Sequence, residues 1–88
     1  MARYEVGLKA SVLKDLERLQ TPDRERCLQA ISALADDPRP RGCEKLSAQE
    51  RYRVRVGALR IVYEVRDARL VLWVVKIGHR RDVYRRRG

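Results

Sequence analysis

The strongest constraint on the fold is a strict alternation of residue types in the second half of the chain. In residues 51–56 every apolar residue is separated from the next by an arginine, and the alternation resumes in residues 59–66 after a short Gly57-Ala58 segment. A period of two is that of a β-strand, whose successive side chains point to opposite faces. The pattern therefore predicts a β-hairpin with one apolar face and one arginine-rich face.

The first half of the chain has the period of helices instead. Apolar residues three or four positions apart mark residues 9–20 and 21–35, with prolines at positions 22 and 38 placed as helix boundaries. Residues 4–6 predict a first strand and residues 39–50 an irregular connection. The nearly all-apolar residues 70–77 predict a last strand that is central in the sheet or covered on both faces. The order is β-α-α-β-β-β. We expect an α+β fold with an antiparallel sheet and a helix hairpin packed on one face, formed by residues 1–88 as a single domain.

The positive charge of the chain is concentrated in its C-terminal half. Residues 1–50 hold nine Lys/Arg and nine Asp/Glu, whereas residues 51–88 hold twelve Lys/Arg and three Asp/Glu, so the whole excess of +9 lies there. Eleven of those twelve are arginines, whose planar fork matches phosphate oxygens in two places at once. So one-sided a distribution indicates a polyanionic partner.

Several function classes are disfavoured by what the sequence lacks. The longest apolar run, residues 70–75, is far shorter than the roughly 18 residues of a membrane span, and residues 1–6 lack the apolar core of a signal peptide. Cys27 and Cys43 do not make a disulfide framework, and no Cys/His cluster has the spacing of zinc ligands. We therefore expect a cytoplasmic protein without a metal, a cofactor or a membrane partner.

The arginines of the hairpin form the candidate site. Arg53 and Arg55 are two residues apart on one strand, so their side chains leave the same face about 7 Å apart. Arg60 can project toward them from the next strand if the pairing register allows it. Further basic residues are predicted to bind RNA around this site: Arg51, Arg81, Arg85 and Arg86.

Cleavage of RNA would require little more than such a site. The 2′-hydroxyl is a built-in nucleophile, so an enzyme must remove its proton, stabilise the extra negative charge on phosphorus and protonate the leaving oxygen. Arginines can stabilise the charge. His79 and Tyr84 are candidate proton carriers, although a free tyrosine has a pKa of about 10 and needs a cationic setting to act as a base.

Three segments resemble a known family. Residues 52–56 (YRVRV), 59–65 (LRIVYEV) and 74–84 (VVKIGHRRDVY) are similar to the RelE toxins of the RelE/ParE superfamily, and the β-α-α-β-β-β order agrees over essentially the whole chain. The second segment is shared broadly across the superfamily, and the ending of the third is more specific to RelE. The resemblance implies a toxin of a toxin–antitoxin pair that cleaves mRNA in the ribosomal A site, with a RelB-like antitoxin, the ribosome and mRNA as partners in a hetero-oligomeric system.

The resemblance also implies roles for individual residues. Arg60 and Arg80 would bind the scissile phosphate and stabilise its transition state. Tyr84 would stack on or orient the nucleotide and help to deprotonate the 2′-hydroxyl. Arg53 and Arg55 stand where the family often has lysines, and a guanidinium does not give up a proton near neutral pH. A titrating partner would then be His79, or Glu44 from the connection before the hairpin.

Two other functions remain open. A ParE-like toxin would have the same fold and would inhibit DNA gyrase without catalysis, leaving the arginines as solvated surface. A general RNA-binding module is disfavoured because exposed aromatic residues are scarce: Phe is absent, and Trp73 lies in the apolar last strand.

Overall fold

The computed structural model describes residues 3–46 and 50–79. Within these residues the elements are β1 (Glu5–Leu8), α1 (Ala10–Arg18), α2 (Thr21–Asp36), β2 (Glu44–Lys45), β3 (Arg51–Val56), β4 (Leu59–Arg66) and β5 (Val71–His79). A single 3-10 turn, Asp67–Arg69, joins β4 to β5. No helix of this part of the chain is both long and apolar enough to cross a bilayer.

The helix pair forms where the helical period predicted it. Pro22 lies in the first turn of α2, where its missing N–H costs no hydrogen bond, and Asp23 favours the positive end of the helix dipole. Both helices bury their apolar stripes against one face of the sheet. The shared core contains helix residues Val12, Leu16, Cys27, Ile31 and Leu34 and sheet residues Tyr52, Leu59, Ile61, Tyr63, Val65, Leu72, Val74 and Ile77.

The described strands form one sheet in the order β1-β5-β4-β3-β2. The α+β class is confirmed, and β2 to β5 pair antiparallel as expected, but β1 departs from the expectation because it runs parallel to β5. The β3-β4-β5 meander is antiparallel since short turns connect it. No short turn connects β1 to β5, because both helices and the strands β2 to β4 lie between them in the chain. The turns therefore do not determine the direction of β1. The sheet is therefore mixed.

The connection before the hairpin also differs from the expectation. Residues 44–45 form β2, which pairs antiparallel with β3 at the sheet edge. A strand of two residues is too short to show an alternation in the sequence, which is why this segment was predicted to be irregular.

A register shift divides β5 into two halves. Val62 pairs with Lys76 but Tyr63 pairs with Val74, so Val75 is the extra residue of a β-bulge. As a result Leu72 and Val74 face the core before the bulge and Ile77 faces it afterwards. The bulge decides which side chains of β5 lie on each face of the sheet.

Candidate functional site

Three arginines of the hairpin lie together on the face of the sheet that the helices leave uncovered, which we call the open face. Arg55 is directly opposite Arg60 in the β3–β4 pairing, and Arg53 is two residues from Arg55 along β3. Residues opposite each other in an antiparallel pair share a face at the closest cross-strand distance. Arg53, Arg55 and Arg60, the arginine patch, are therefore grouped as the alternation and the turn predicted.

The members of the arginine patch differ in their exposure. Arg60 is only 6% exposed, whereas Arg55 is exposed. The Arg53 side chain is 13% exposed. A guanidinium shielded from water interacts more strongly with an anion than an exposed one. The patch thus combines a shielded arginine with an accessible one directly beside it.

Glu44 is the carboxylate of this patch. It pairs with Arg53 in the β2–β3 ladder, and the Nε atom of Arg53 donates a hydrogen bond to its Oε1 atom at 3.1 Å. This bond and the charge of Arg53, followed by the charges of Arg60 and Arg55, hold the pKa of Glu44 below its ordinary value. At neutral pH Glu44 is therefore ionised and can accept a proton but not donate one. Its role as a proton carrier stays a prediction.

Arg51, predicted to bind RNA, lies on the same face farther from the turn. It is opposite Glu64, and its Nε donates a hydrogen bond to the Glu64 Oε2 atom at 3.0 Å. Arg66 donates to the other oxygen of Glu64 at 2.9 Å. These two bonds, Arg51 first, lower the pKa of Glu64.

His79 does not join the arginine patch on the open face. It pairs with Leu59, a core residue, whereas Arg60 pairs with Gly78. The bulge at Val75 causes this placement, since it exchanges the faces of odd- and even-numbered residues along β5. His79 is exposed at the end of the strand, on the side of the helices.

The remaining predicted site residues, Arg80, Arg81, Tyr84, Arg85 and Arg86, lie outside the described residues. Their convergence with Arg60 stays a prediction. Within residues 3–46 and 50–79, no three His, Cys, Asp or Glu side chains are grouped so that they could hold a metal ion.

One feature of the open face was missed by the sequence analysis. The strand of Trp73 was expected to be central in the sheet or covered on both faces. It is central, between β1 and β4, but the Trp73 side chain is 40% exposed. It pairs with Glu64 and with Gly7 of β1, both on the open face. In a run of apolar residues the alternation carries no signal, so the sequence could not show which of them faces solvent.

A second arginine-centred cluster lies at the other end of the hairpin. Arg39 donates hydrogen bonds to Glu50 at 2.6 Å, to Asp67 at 2.7 Å and to the Tyr52 hydroxyl at 2.8 Å. The Tyr52 hydroxyl in turn donates to Glu50 at 2.6 Å, and Tyr4 donates to Asp67 at 2.5 Å. We call these five residues the Arg39 network.

The network shifts the pKa values of its acids and of its arginine in opposite directions. Hydrogen bonds from Tyr52, Arg39 and Lys45 lower the pKa of Glu50 to about 2. The bonds of Arg39 and Tyr4 lower the pKa of Asp67, and the bonds to Asp67 and Glu50 raise that of Arg39. All three groups are thus held in their charged forms at neutral pH.

The chain matches the model of a known family over most of its length. Residues 6–84 match the model of the ParE toxin of the type II toxin–antitoxin system parDE. A RelE-like toxin protein of Escherichia coli is 27% identical over 86 residues, which cover 93% of this chain and 90% of that protein.

Solved structures of RelE proteins have the same fold. The archaeal RelE–RelB complex of Pyrococcus horikoshii contains a chain that superposes with a TM-score of 0.78 at 26% identity, covering 89% of this chain and 96% of that chain. The isolated Escherichia coli RelE toxin superposes with a TM-score of 0.77 at 22% identity, covering 86% of this chain and 83% of that chain.

Proposed function

The chain belongs to the ParE toxin family of type II toxin–antitoxin systems, and from this premise we propose that it is an endoribonuclease toxin that cleaves mRNA in the ribosomal A site. The observation that carries the proposal is the arginine patch. Arg55 and Arg60 lie opposite each other on the open face with Arg53 alongside, so arginines of two strands lie next to each other on one face. Arg60, only 6% exposed, supports the proposal because a guanidinium shielded from water interacts more strongly with an anion.

The proposed reaction is an attack of the 2′-hydroxyl on the adjacent phosphorus. A new bond forms between the 2′-oxygen and phosphorus, the bond from phosphorus to the 5′-oxygen breaks, and the products are a 2′,3′-cyclic phosphate and a free 5′-hydroxyl. The extra negative charge builds up on the non-bridging oxygens of the phosphate. Arg60, with Arg80 as the predicted second group, would stabilise that charge.

Two protons move in this scheme. The proton of the 2′-hydroxyl must be accepted by a base, and the leaving 5′-oxygen must receive one. Tyr84 is the predicted base, acting in a cationic setting that would favour its ionised form. Because its pKa is lowered, Glu44 suits only the accepting role. His79 lies on the side of the helices, so the proton of the leaving oxygen has no assigned donor among the described residues.

A translating extract in which mRNA ends are mapped by primer extension tests the proposal. We expect cuts at A-site codons with the unmodified protein. Arg60→Gln and Arg80→Ala should each lower the cleavage rate on the order of 10²–10³-fold while the fold is kept. Arg18→Gln removes one exposed positive charge at the end of α1, on the side of the helices, and is the matched control. Undiminished cutting by correctly folded Arg60→Gln would refute the assignment of this site.

The second candidate function is inhibition of DNA gyrase. It is favoured by the matching family model, which is that of ParE toxins. A gyrase supercoiling assay run beside the translation assay separates the two. Loss of supercoiling without any cleavage of mRNA would support the ParE-like function.

The proposed partners follow from the proposed activity. The solved relatives include RelE in complex with RelB, and we propose a corresponding antitoxin for this chain, in a hetero-oligomer, with the ribosome and mRNA as cytoplasmic targets. The antitoxin should present an acidic segment to the arginine patch, because three guanidiniums lie there beside the single carboxylate of Glu44 among the described residues. Such a complex should weaken as salt increases.

A further inference from the structure

The open face carries a positioned aromatic side chain outside the arginine patch. Trp73, the only tryptophan of the chain, is 40% exposed. It lies on β5 opposite Glu64 of β4. Glu64 is four residues from Arg60, which puts Trp73 and Arg60 about 13 Å apart along the strand direction.

Gly7 makes room for the indole ring. A Cβ atom at Gly7 would lie 2.8 Å from Cζ3, 2.9 Å from Cε3 and 3.1 Å from Cη2 of Trp73, so the six-membered ring packs over the backbone of β1. Glycine inside a strand costs stability, and it is found where another group approaches the backbone closely. One side of the ring thus packs on the backbone of β1, while 40% of the residue stays accessible to solvent.

The surroundings of Trp73 are mostly basic. A depression of about 300 Å³ is lined by Lys9, Arg51, Glu64, Arg66, Trp73 and Val75. The carboxylate of Glu64 accepts hydrogen bonds from both Arg51 and Arg66, which holds the two guanidiniums beside the ring. The described lining therefore has three positive groups and one negative group around one aromatic side chain.

This composition fits a nucleotide better than a protein partner. The core of a protein–protein interface is a contiguous apolar area, depleted of charged residues. Here four of the six lining residues are charged. An aromatic platform with cations around it is how proteins bind single-stranded nucleic acid, with the base on the ring and the phosphates on the basic groups.

We propose that Trp73 is a stacking platform for a base of single-stranded RNA, with Arg51 and Arg66 binding the adjoining phosphates. The inference rests on the proposed function and extends it, since the strand that is cut at the arginine patch would continue along the open face. At the rise of roughly 3.4 Å per nucleotide in a duplex strand, the two places are no more than about four nucleotides apart.

Tryptophan fluorescence reports on this platform directly, because the chain has one tryptophan. The probe is a 2′-O-methyl RNA about six nucleotides long, which cannot be cleaved and is within the usual range of site sizes. We expect its binding to quench the emission of Trp73 in the unmodified protein. In a label-based assay at fixed salt, Trp73→Ala should weaken binding about tenfold, and Trp73→Phe, which keeps an aromatic face, should recover most of the loss.

Leu28→Ala is the matched control, since Leu28 is an apolar residue of α2 with a similar exposure of 46%. Its RNA affinity should equal that of the unmodified protein. The proposal is overturned if the emission is unchanged when the RNA is saturating, or if folded Trp73→Ala binds RNA as tightly as the unmodified protein. In the second case, a weaker complex of Trp73→Ala with the cognate antitoxin would assign the face to protein binding.

The RNA-binding test of Trp73 and the cleavage test of the proposed function can fail independently of each other. Quenching and a Trp73-dependent affinity without any cleavage of mRNA would exclude the nuclease and leave the platform in place. Cleavage that depends on Arg60, combined with an RNA affinity that is independent of Trp73, would exclude the platform alone.

Discussion

Two arginine-centred regions at opposite ends of the β3–β4 hairpin use the same side chain for different purposes. In the Arg39 network, one guanidinium meets the carboxylates of Glu50 and Asp67 and the hydroxyl of Tyr52. In the arginine patch near the turn, three guanidiniums surround the single described carboxylate of Glu44. Among the described residues, the first region has carboxylates that match its guanidinium, and the second has more positive than negative side chains.

The difference supports a structural role for the Arg39 network. Arg39 joins the segment after α2 to the residues before β3 and after β4, which lie 11 and 28 positions away. Its guanidinium also lies over the Tyr52 ring, 5.2 Å from the centroid. A compensated charge contributes to stability, whereas like charges placed opposite each other across a strand pair cost stability. This contrast supports the proposal that the arginine patch binds an RNA phosphate.

The largest expected effect is a difference in cleavage rate between two variants, in which one arginine of each region is replaced by lysine. Arg60→Lys keeps the charge but loses the planar fork that binds two phosphate oxygens, so cleavage in a translating extract should fall on the order of 10²-fold or more. Arg39→Lys, far from the patch, should cleave at the unmodified rate. An equal loss of cleavage in both variants would show that the two regions do not differ in their contribution to the reaction.

For the free energy of unfolding, the Arg39 network should matter more than the arginine patch. Arg39→Met removes several hydrogen bonds of a partly exposed cluster and should lower the free energy of unfolding by about 1–2 kcal/mol. For a chain of this size that loss corresponds to a melting temperature lower by roughly 4–16 °C. Arg55→Met removes a charge directly opposite Arg60 and should leave the melting temperature unchanged or slightly higher. Thermal unfolding followed by circular dichroism measures both, and a larger drop in Arg55→Met would contradict the comparison.

The Arg39 network should also make stability depend on acid. Glu50 has its pKa lowered from 4.5 to about 2, so its contribution is complete above about pH 4.5 and is lost as the pH falls toward 2. Glu50→Gln should lower the melting temperature at pH 7. Its curve of melting temperature against pH should then approach that of the unmodified protein between pH 4.5 and 2. Parallel curves over that range would mean that Glu50 is not the titrating group.

The sequence predicted the parts of the molecule that have a clear period. The helical spacing located both helices, and the alternation of residues 51–66 located the hairpin and grouped Arg53, Arg55 and Arg60. Those predictions succeed because side-chain direction follows from the period alone once the element type is known.

The rest depends on contacts that local patterns do not encode. The bulge at Val75 lies in a nearly uniform apolar run, so neither the exposure of Trp73 nor the placement of His79 could be predicted. The partners of Arg39 are distant in sequence, and Arg39 itself lies in a segment without periodicity. The parallel pairing of β1 is likewise a tertiary outcome.

The smallest expected effect tests the one carboxylate among the described residues of the arginine patch. Glu44 pairs with Arg53 and lies in the field of Arg55 and Arg60, so an RNA phosphate must compete with it for the same guanidiniums. If Glu44 acts only as this counter-charge, Glu44→Gln should bind a non-cleavable RNA about two- to threefold more tightly. It should also have a slope of log K against log salt that is steeper by up to about 0.7, the value for one more phosphate contact with a single strand.

If Glu44 is instead the base of the reaction, the same variant should bind RNA unchanged and cleave mRNA far more slowly. Glu17→Gln removes one exposed carboxylate of α1, on the side of the helices, and should change neither quantity.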